Sequence, residues 1–311
     1  MIFANLKTGN YMQALSYLPC GALIKKHLSG LFIPRKLLQE KKAHHALTVS
    51  KVMNRLVVTD PEKQNDLLGC ILRKTGSVSG PGSGPGHEND ILRTGMNTQE
   101  LIANSALLIL AGSDTTATVL SGLTYFLLRD RRVMELVVRE VRGAFEREED
   151  IVLGAGGVGK LKYMGACLEE ALRMYPAAPV ALQRIVPGEG AWIAGVWVPG
   201  GTIVSVPQIA TNLSTLNFHL PDFFVPERFL GDERFINDQR QALNPFSLGP
   251  RNCIGKNLAY AEMRLILARV LWNFDIEFAE GEESKDWLDQ KSWTLWDKGP
   301  LNVVLRKREG I

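Results

Sequence analysis

The chain has 311 residues, of which 45% are hydrophobic and 22% charged, close to the averages of globular proteins. This composition excludes a mainly disordered, collagen-like or disulfide-stapled chain. A net charge of +3 over this length is too small an excess to indicate nucleic-acid binding. The four cysteines form no Cys-x-x-Cys pair, so neither a disulfide framework nor a local zinc site is predicted, and a reducing compartment is favoured.

The N-terminal third is predicted to be helical, with one flexible interruption. Residues 11–24 are apolar but shorter than the ~20 residues that a membrane span requires. They are interpreted as a buried amphipathic segment, with a position on a membrane surface as the alternative. A helix is predicted over 34–57. Alternating Gly, Pro and Ser over 76–89 predict a flexible loop, because such residues bury no apolar face.

Residues 101–128 predict one long apolar helix. Asn97 and Glu100 have the spacing of a capping box at its start. The helix is long enough to cross a membrane, but Asp114 would then lie near mid-span at a cost of about 2.5–3.5 kcal/mol. A helix through the core of a soluble domain is therefore favoured over a membrane span.

The rest of the chain changes from helical to β patterning. Helices are predicted over 131–146 and 160–174 from apolar positions at helical spacing. Residues 191–206 are rich in Val, Ile and Trp with glycine turns, which predicts β-strands. An aperiodic stretch over 217–250 precedes a last helix at 254–273. The fold class predicted is mainly α with a small β component.

Residues 154–161, GAGGVGKL, resemble a phosphate-binding loop over most of its length. Leu161 stands where that loop needs a Ser or Thr for magnesium, and the apolar run before it is short. A glycine-rich connector is therefore favoured, with nucleotide binding through Lys160 as the alternative.

Residues 246–255 read FSLGPRNCIG and fit the pattern F-x-x-G-x-R-x-C-x-G. The five matching positions are Phe246, Gly249, Arg251, Cys253 and Gly255. By this motif the sequence resembles the cytochrome P450 family of haem-thiolate monooxygenases. A structural cysteine at the start of a helix is the alternative interpretation.

The resemblance implies that Cys253 is the axial thiolate of haem b, the iron-containing cofactor. A helix N-terminus just after Cys253 would favour its anionic form. Gly249 and Gly255 would allow a tight turn and close approach to the ring. Arg251 and Arg184 would face the propionates, and Phe246 would shield the sulfur.

Two further motifs carry the same resemblance. In AGSDTT, the small residues Ala111 and Gly112 would leave room over the cofactor, and Asp114 and Thr115 would relay protons. In the segments CLEEALR and PERF, the family pattern implies a structural triad. Its members are Glu170, Arg173 and Arg228. The residues expected to face the substrate are Val180, Ala181 and Leu182.

The resemblance also predicts the domain organisation and the reaction. The chain, 1–311, is expected to be a single truncated P450 domain, the C-terminal portion of that fold with the N-terminal part missing. The reaction expected is hydroxylation or epoxidation of a lipophilic small molecule, in the manner of fungal secondary metabolism. A NADPH-dependent flavoprotein reductase would supply electrons and O2 would be consumed.

The expected location is the cytoplasmic side, associated with the endoplasmic reticulum through membrane-surface contact. No transmembrane anchor or signal peptide is predicted in this chain, and no nucleic-acid partner. The alternatives are a non-catalytic truncated remnant, with or without haem, and the nucleotide-binding reading of 154–161. An enzyme that rearranges peroxides is a lesser variant, since that chemistry needs no proton relay.

Overall fold

The computed structural model describes residues 35–57, 69 and 97–308. The segments 11–24 and 76–89, together with Cys20 and Cys70, lie outside the described residues. The chain divides into two compact units, Met1–Ser113 and Asp114–Ile311. The expectation of one domain over 1–311 stays a prediction.

Two helices account for most of the described residues of the first unit. Helix α1 spans Arg35–Val57 and α2 spans Thr98–Arg129, which continues into the second unit. The α2 N-terminus has the predicted capping box. The Glu100 amide donates to Asn97 Oδ1 and the Asn97 amide donates to Glu100 Oε2, both at 2.9 Å. These reciprocal bonds satisfy two of the amides that a helix start leaves without partners.

Within the described residues, the second unit contains four further α-helices and all of the strands. The helices are α3 (Arg131–Ala144), α4 (Lys162–Met174), α5 (Gln208–Asn212) and α6 (Lys256–Asn273). The strands are β1 (Arg184–Ile185), β2 (Ala191–Ile193), β3 (Val196–Val198), β4 (Ile203–Val204), β5 (Phe274–Phe278) and β6 (Val303–Lys307). They pair antiparallel as β1–β4, β2–β3 and β5–β6. The prediction of a mainly α fold with a small β component is therefore confirmed.

The core of the second unit is formed by one apolar face from each long helix. Val133, Val137 and Val141 recur at helical spacing on α3 and are completely buried. They pack with side chains of α2, α4 and α6 in one cluster. Helix α2 has the length and composition of a membrane span. Its Leu123 and Leu127 are buried in this cluster, whereas Leu107 is 60% exposed and only 28% of the apolar 18-residue window is buried. The preference for a core helix over a membrane span therefore stays a prediction.

A second, aromatic cluster joins α2 to the segment before β6. Tyr175 stacks on Trp296 with ring centroids 4.7 Å apart, and the Trp296 indole donates to the Pro176 carbonyl at 2.8 Å. Gly122 lets α2 approach this cluster closely, because a Cβ there would lie 2.4 Å from the Tyr175 ring. The segment before β6 that contains Trp296 is thus packed against α2 and the end of α4.

Candidate active site

The Cys253 loop is a closed turn that ends at the start of α6. A 3-10 turn spans Gly249–Arg251, and the Cys253 amide donates to the Phe246 carbonyl at 2.9 Å. Gly249 has φ +74°, a left-handed conformation that glycine adopts without strain. The loop therefore presents Cys253 as an exposed thiol.

The backbone conformation at Gly255 does not require a glycine. Its φ is −87°, which any residue adopts, so backbone freedom is not what glycine supplies here. A Cβ at Gly255 would lie 3.9 Å from Cys253 Sγ, with no other atom closer. The missing side chain keeps the space beside the sulfur clear.

The start of α6 provides a favourable electrostatic setting for an anion at Cys253. Gly255 is the N-cap residue and gives no side-chain cap. Amide hydrogens near a helix N-terminus and the helix dipole both stabilise negative charge. The exposed apolar side chains Leu248 and Ile254 flank the cysteine, at 67% and 94% exposure. The loop thus joins a thiol, a helix start and an apolar surface.

Phe246 anchors the loop to α6. Its ring lies 5.1 Å from the Tyr260 ring and packs against the core cluster. Burial raises the pKa of the Tyr260 phenol, and the charge of Glu169, which also hydrogen-bonds it, raises it further. Tyr260 is therefore a neutral, half-buried support for Phe246.

A cleft of about 360 Å³ brings several predicted residues together. Val180, Leu182 and Arg184 line one part of it, and Ser247 and Leu248 of the Cys253 loop line another. The lining is mainly apolar with a single cation, which suits an apolar ligand that carries an anionic group. Ala181 is not among the lining residues, since it forms a β-bridge with Pro207.

Two exposed cations lie at this site, one in the Cys253 loop and one in the lining of the cleft. Arg251 is in the 3-10 turn itself, and Arg184 is on β1, where its Nη1 donates to the Gln183 carbonyl at 2.9 Å. Exposed guanidinium groups can bind carboxylates in bidentate fashion. The arrangement can therefore hold a ligand with acidic groups.

Asp114 has a partner that the sequence did not predict. Its Oδ1 accepts a bond from Lys298 Nζ at 2.9 Å, and Lys298 also donates to Thr118 Oγ1. Thr115, the next residue of α2, is half-buried. Ala111 and Gly112 lie on the part of α2 in the first unit, where a Cβ on Gly112 would meet nothing within 4 Å.

Glu170, Arg173 and Arg228 are brought together with no exposed side-chain surface. Arg173 binds both carboxylate oxygens of Glu170, at 2.8 and 2.7 Å, and Arg228 Nε lies 3.4 Å from the same carboxylate. Sequence reasoning missed Asp238, which pairs with Arg228 and is 2% exposed. The buried group is thus two anions with two cations.

The 154–161 loop does not have the geometry of a phosphate site. The amides of Gly157 and Gly159 donate to the Gly154 carbonyl, and the Val158 amide donates to the Val152 carbonyl. Lys160 Nζ donates to the Ala144 carbonyl at 2.7 Å and lies over the Phe145 ring. Since these donors are already engaged, the connector interpretation is supported over nucleotide binding.

Comparison with known proteins places the chain in a family. Residues 17–303 match the model of the family described as Cytochrome P450. The chain is 46% identical over 312 residues to cytochrome P450 monooxygenase astA of Talaromyces wortmannii, with 100% of the chain and 58% of that protein covered. A trichothecene C-4 hydroxylase of Trichoderma arundinaceum is 42% identical, over 95% of the chain and 58% of that protein. An averantin hydroxylase of Dothistroma septosporum is 44% identical, over 89% of the chain and 50% of that protein.

The Cys253 loop at the start of α6 lies beside a mainly apolar cleft whose lining includes one cation, Arg184. The chain belongs to the cytochrome P450 family. It spans about half the length of the curated relatives it matches.

Proposed function

We propose that this chain supplies the haem-thiolate site of a monooxygenase that hydroxylates or epoxidises a lipophilic small molecule. The observation that carries the proposal is the exposed Cys253 thiol, with the clearance at Gly255 beside its sulfur. Membership of the cytochrome P450 family supports it. Relatives named as trichothecene and averantin hydroxylases favour a hydroxylation within fungal secondary metabolism.

The described residues fit haem b. Cys253 would be the axial ligand, in an anionic form that the α6 N-terminus stabilises. Phe246 would lie beside the sulfur and keep water from it, and Arg184 and Arg251 would bind the propionates. When bound, the haem iron supplies the binding and activation of dioxygen.

Other residues of the chain would handle the substrate and protons. Val180 and Leu182 would contact the lipophilic substrate in the cleft. Ala111 and Gly112 would keep one stretch of α2 free of bulk above the cofactor. Asp114 would take up a proton from a hydronium ion of the solvent and pass it to the Thr115 hydroxyl oxygen. Thr115 would then release its own hydroxyl hydrogen to the dioxygen being reduced, as an alcohol does in a relay with an acid.

The proposed partner is a NADPH-dependent flavoprotein reductase. Electrons must reach the thiolate side of the site, where the exposed Lys256 begins α6 and offers a positive charge to an acidic partner. A lipophilic substrate also favours the proposed location on the cytoplasmic side of the endoplasmic reticulum. Contact with the membrane surface would bring the site close to lipophilic substrate dissolved in the membrane.

The test is the carbon monoxide difference spectrum of the reduced chain after loading with haem. A strongly red-shifted Soret band is expected from the wild type and from Cys167→Ala, and no such band from Cys253→Ala. Cys167 is a matched control because it is completely buried, and burial raises its pKa well above that of an ordinary thiol.

Three results would oppose the proposal in different ways. A red-shifted band that survives in Cys253→Ala would overturn the assignment of the ligand. No haem uptake by folded wild-type chain would favour the alternative of a remnant without activity. A haem-bound wild type that consumes no NADPH with a reductase would favour a non-catalytic haem protein.

A further inference from the structure

Lys298 and Asp114 form an ion pair between parts of the chain that are 184 residues apart. The Nζ to Oδ1 distance is 2.9 Å, and the two side chains are only 17% and 25% exposed. Exposed pairs such as Arg131 with Glu135, at 92% and 55%, lie within one helix. The Lys298 pair is therefore non-local, like the buried Glu170–Arg228 pair, and partly buried.

Thr118 makes the position of the Lys298 ammonium more specific. It lies one turn after Asp114 on α2, on the same face, and its side chain is completely buried. Its hydroxyl donates to the Asp114 carbonyl at 2.6 Å and accepts a bond from Lys298 Nζ. With its hydrogen committed to that carbonyl, the hydroxyl offers only its lone pairs to the ammonium.

The Lys298 backbone is held in place from the other side. Trp296, two residues earlier, stacks on Tyr175 and donates its indole hydrogen to the Pro176 carbonyl. The chain then enters β6, which pairs with β5 over five residues. The ammonium is thus delivered to α2 by a segment that is anchored at both ends.

The second oxygen of Asp114 is the unusual part of this arrangement. Oδ2 is buried and has no hydrogen-bond partner among the described residues. A buried, unsatisfied polar atom is costly, and in native proteins it marks a store of strain, a catalytic role or a water site. Oδ1 thus accepts a bond from Lys298, while Oδ2 accepts none from the described residues and has lone pairs available for a proton.

We propose that Lys298 is a positioning residue for proton transfer by Asp114. By holding Oδ1, Lys298 leaves Oδ2 as the oxygen that accepts a proton from a hydronium ion of the solvent, which is left as water. Oδ2 passes a proton to the Thr115 hydroxyl oxygen, and Thr115 releases its own hydroxyl hydrogen to the dioxygen being reduced. The carboxylate returns to its ionised form after each transfer, and Lys298 keeps its three protons throughout. This inference rests on the proposed function of Asp114 and Thr115.

The first test measures the pair in the chain without turnover. Asp114→Asn, Lys298→Met and the double variant form a cycle read by urea unfolding. A coupling of roughly fivefold in the unfolding equilibrium constant is expected, in the usual range for contacting charges. Additive effects of the two substitutions would show that the pair does not form and would overturn the inference.

The second test reads the use of electrons in the haem-loaded chain with a reductase and NADPH and no added substrate. Lys298→Met is expected to raise the share of NADPH electrons recovered as hydrogen peroxide, rather than water, by about threefold or more. The reason is that an Asp114 carboxylate in the wrong position transfers protons less efficiently. Lys298→Arg should restore most of the wild-type ratio. Lys285→Met, which removes an exposed partner of Glu282, should leave it unchanged.

The outcomes separate the inference from the function it rests on. An unchanged peroxide share in Lys298→Met, with a normal carbon monoxide spectrum, overturns the role of Lys298 alone. Absence of the thiolate spectrum from the wild-type chain overturns the proposed function and this inference with it. A raised peroxide share that Lys298→Arg does not restore also overturns the positioning role.

Discussion

Replacing Arg173 by Lys tests how much the buried ion network contributes to stability. Arg173 donates five hydrogen bonds, two to Glu170 and one each to the carbonyls of Asn212, Pro221 and Phe223. A lysine ammonium has three donors, so at least two acceptors lose their partner. At about 1.5–3 kcal/mol for each bond to a charged group, the expected loss is about 3–6 kcal/mol.

The assay is urea unfolding followed by tryptophan fluorescence. All six tryptophans lie in the second unit, which contains Arg173, so the signal reports on that unit. Arg131→Lys is the matched control, because Arg131 is 92% exposed and bonds only Glu135 among the described residues. Its expected loss is about 0–1 kcal/mol.

The result that would refute the reasoning is a loss for Arg173→Lys no larger than that of the control. That outcome would mean that water or a shifted backbone satisfies the carbonyls in the variant. A change in the slope of unfolding free energy against urea concentration would instead indicate an altered unfolded state or a loss of two-state behaviour. The two variants would then be compared by their urea midpoints, with the slope held fixed.

Three further expectations concern packing, pH and the glycine loop. Gly122→Ala should destabilise the second unit by about 1–3 kcal/mol through its clash with Tyr175, whereas Gly143→Ala, in open space on α3, should stabilise it by up to about 1 kcal/mol; equal effects in urea unfolding would contradict the clash. Burial raises the pKa of the Tyr175 phenol, so the unfolded state loses that proton first and stability should fall above about pH 10. Tyr175→Phe should flatten that fall in alkaline unfolding curves, and an unchanged slope would contradict it. Lys160→Gln should lower the unfolding free energy by about 1 kcal/mol, because the bond to the Ala144 carbonyl is lost. Calorimetry should detect no ATP binding to the wild type or the variant; ATP binding by the wild type that the variant loses would support nucleotide binding.

The helices could be predicted because their signals are local. The Asn97–Glu100 capping box marks the start of α2, and apolar spacing marks α3. The stretch 217–250 gave no such signal, because side chains distant in sequence order it. Arg173 binds carbonyls 39 to 50 residues away, and no periodic pattern records such contacts.

The same distinction applies to the candidate site. The residues around Cys253 lie within one ten-residue motif, so their proximity was predictable. Lys298 lies 184 residues from Asp114, and a lone lysine before a strand carries no signal of its own. The motif placed Gly255 next to the loop, but only the position of Sγ shows which space its missing side chain leaves clear.

Charge balance is the one non-local signal that the sequence did offer. A buried triad of Glu170, Arg173 and Arg228 would carry one uncompensated positive charge, and an unpaired buried charge costs several kcal/mol. Elementary electrostatics therefore demands a second anion, which the structure supplies as Asp238. Asp238 also accepts from the His219 amide at 2.7 Å, so the charge that balances Arg228 orders the chain around it. A predicted buried network with a net charge should accordingly be treated as incomplete, and its missing member sought among the acidic residues nearby in the chain.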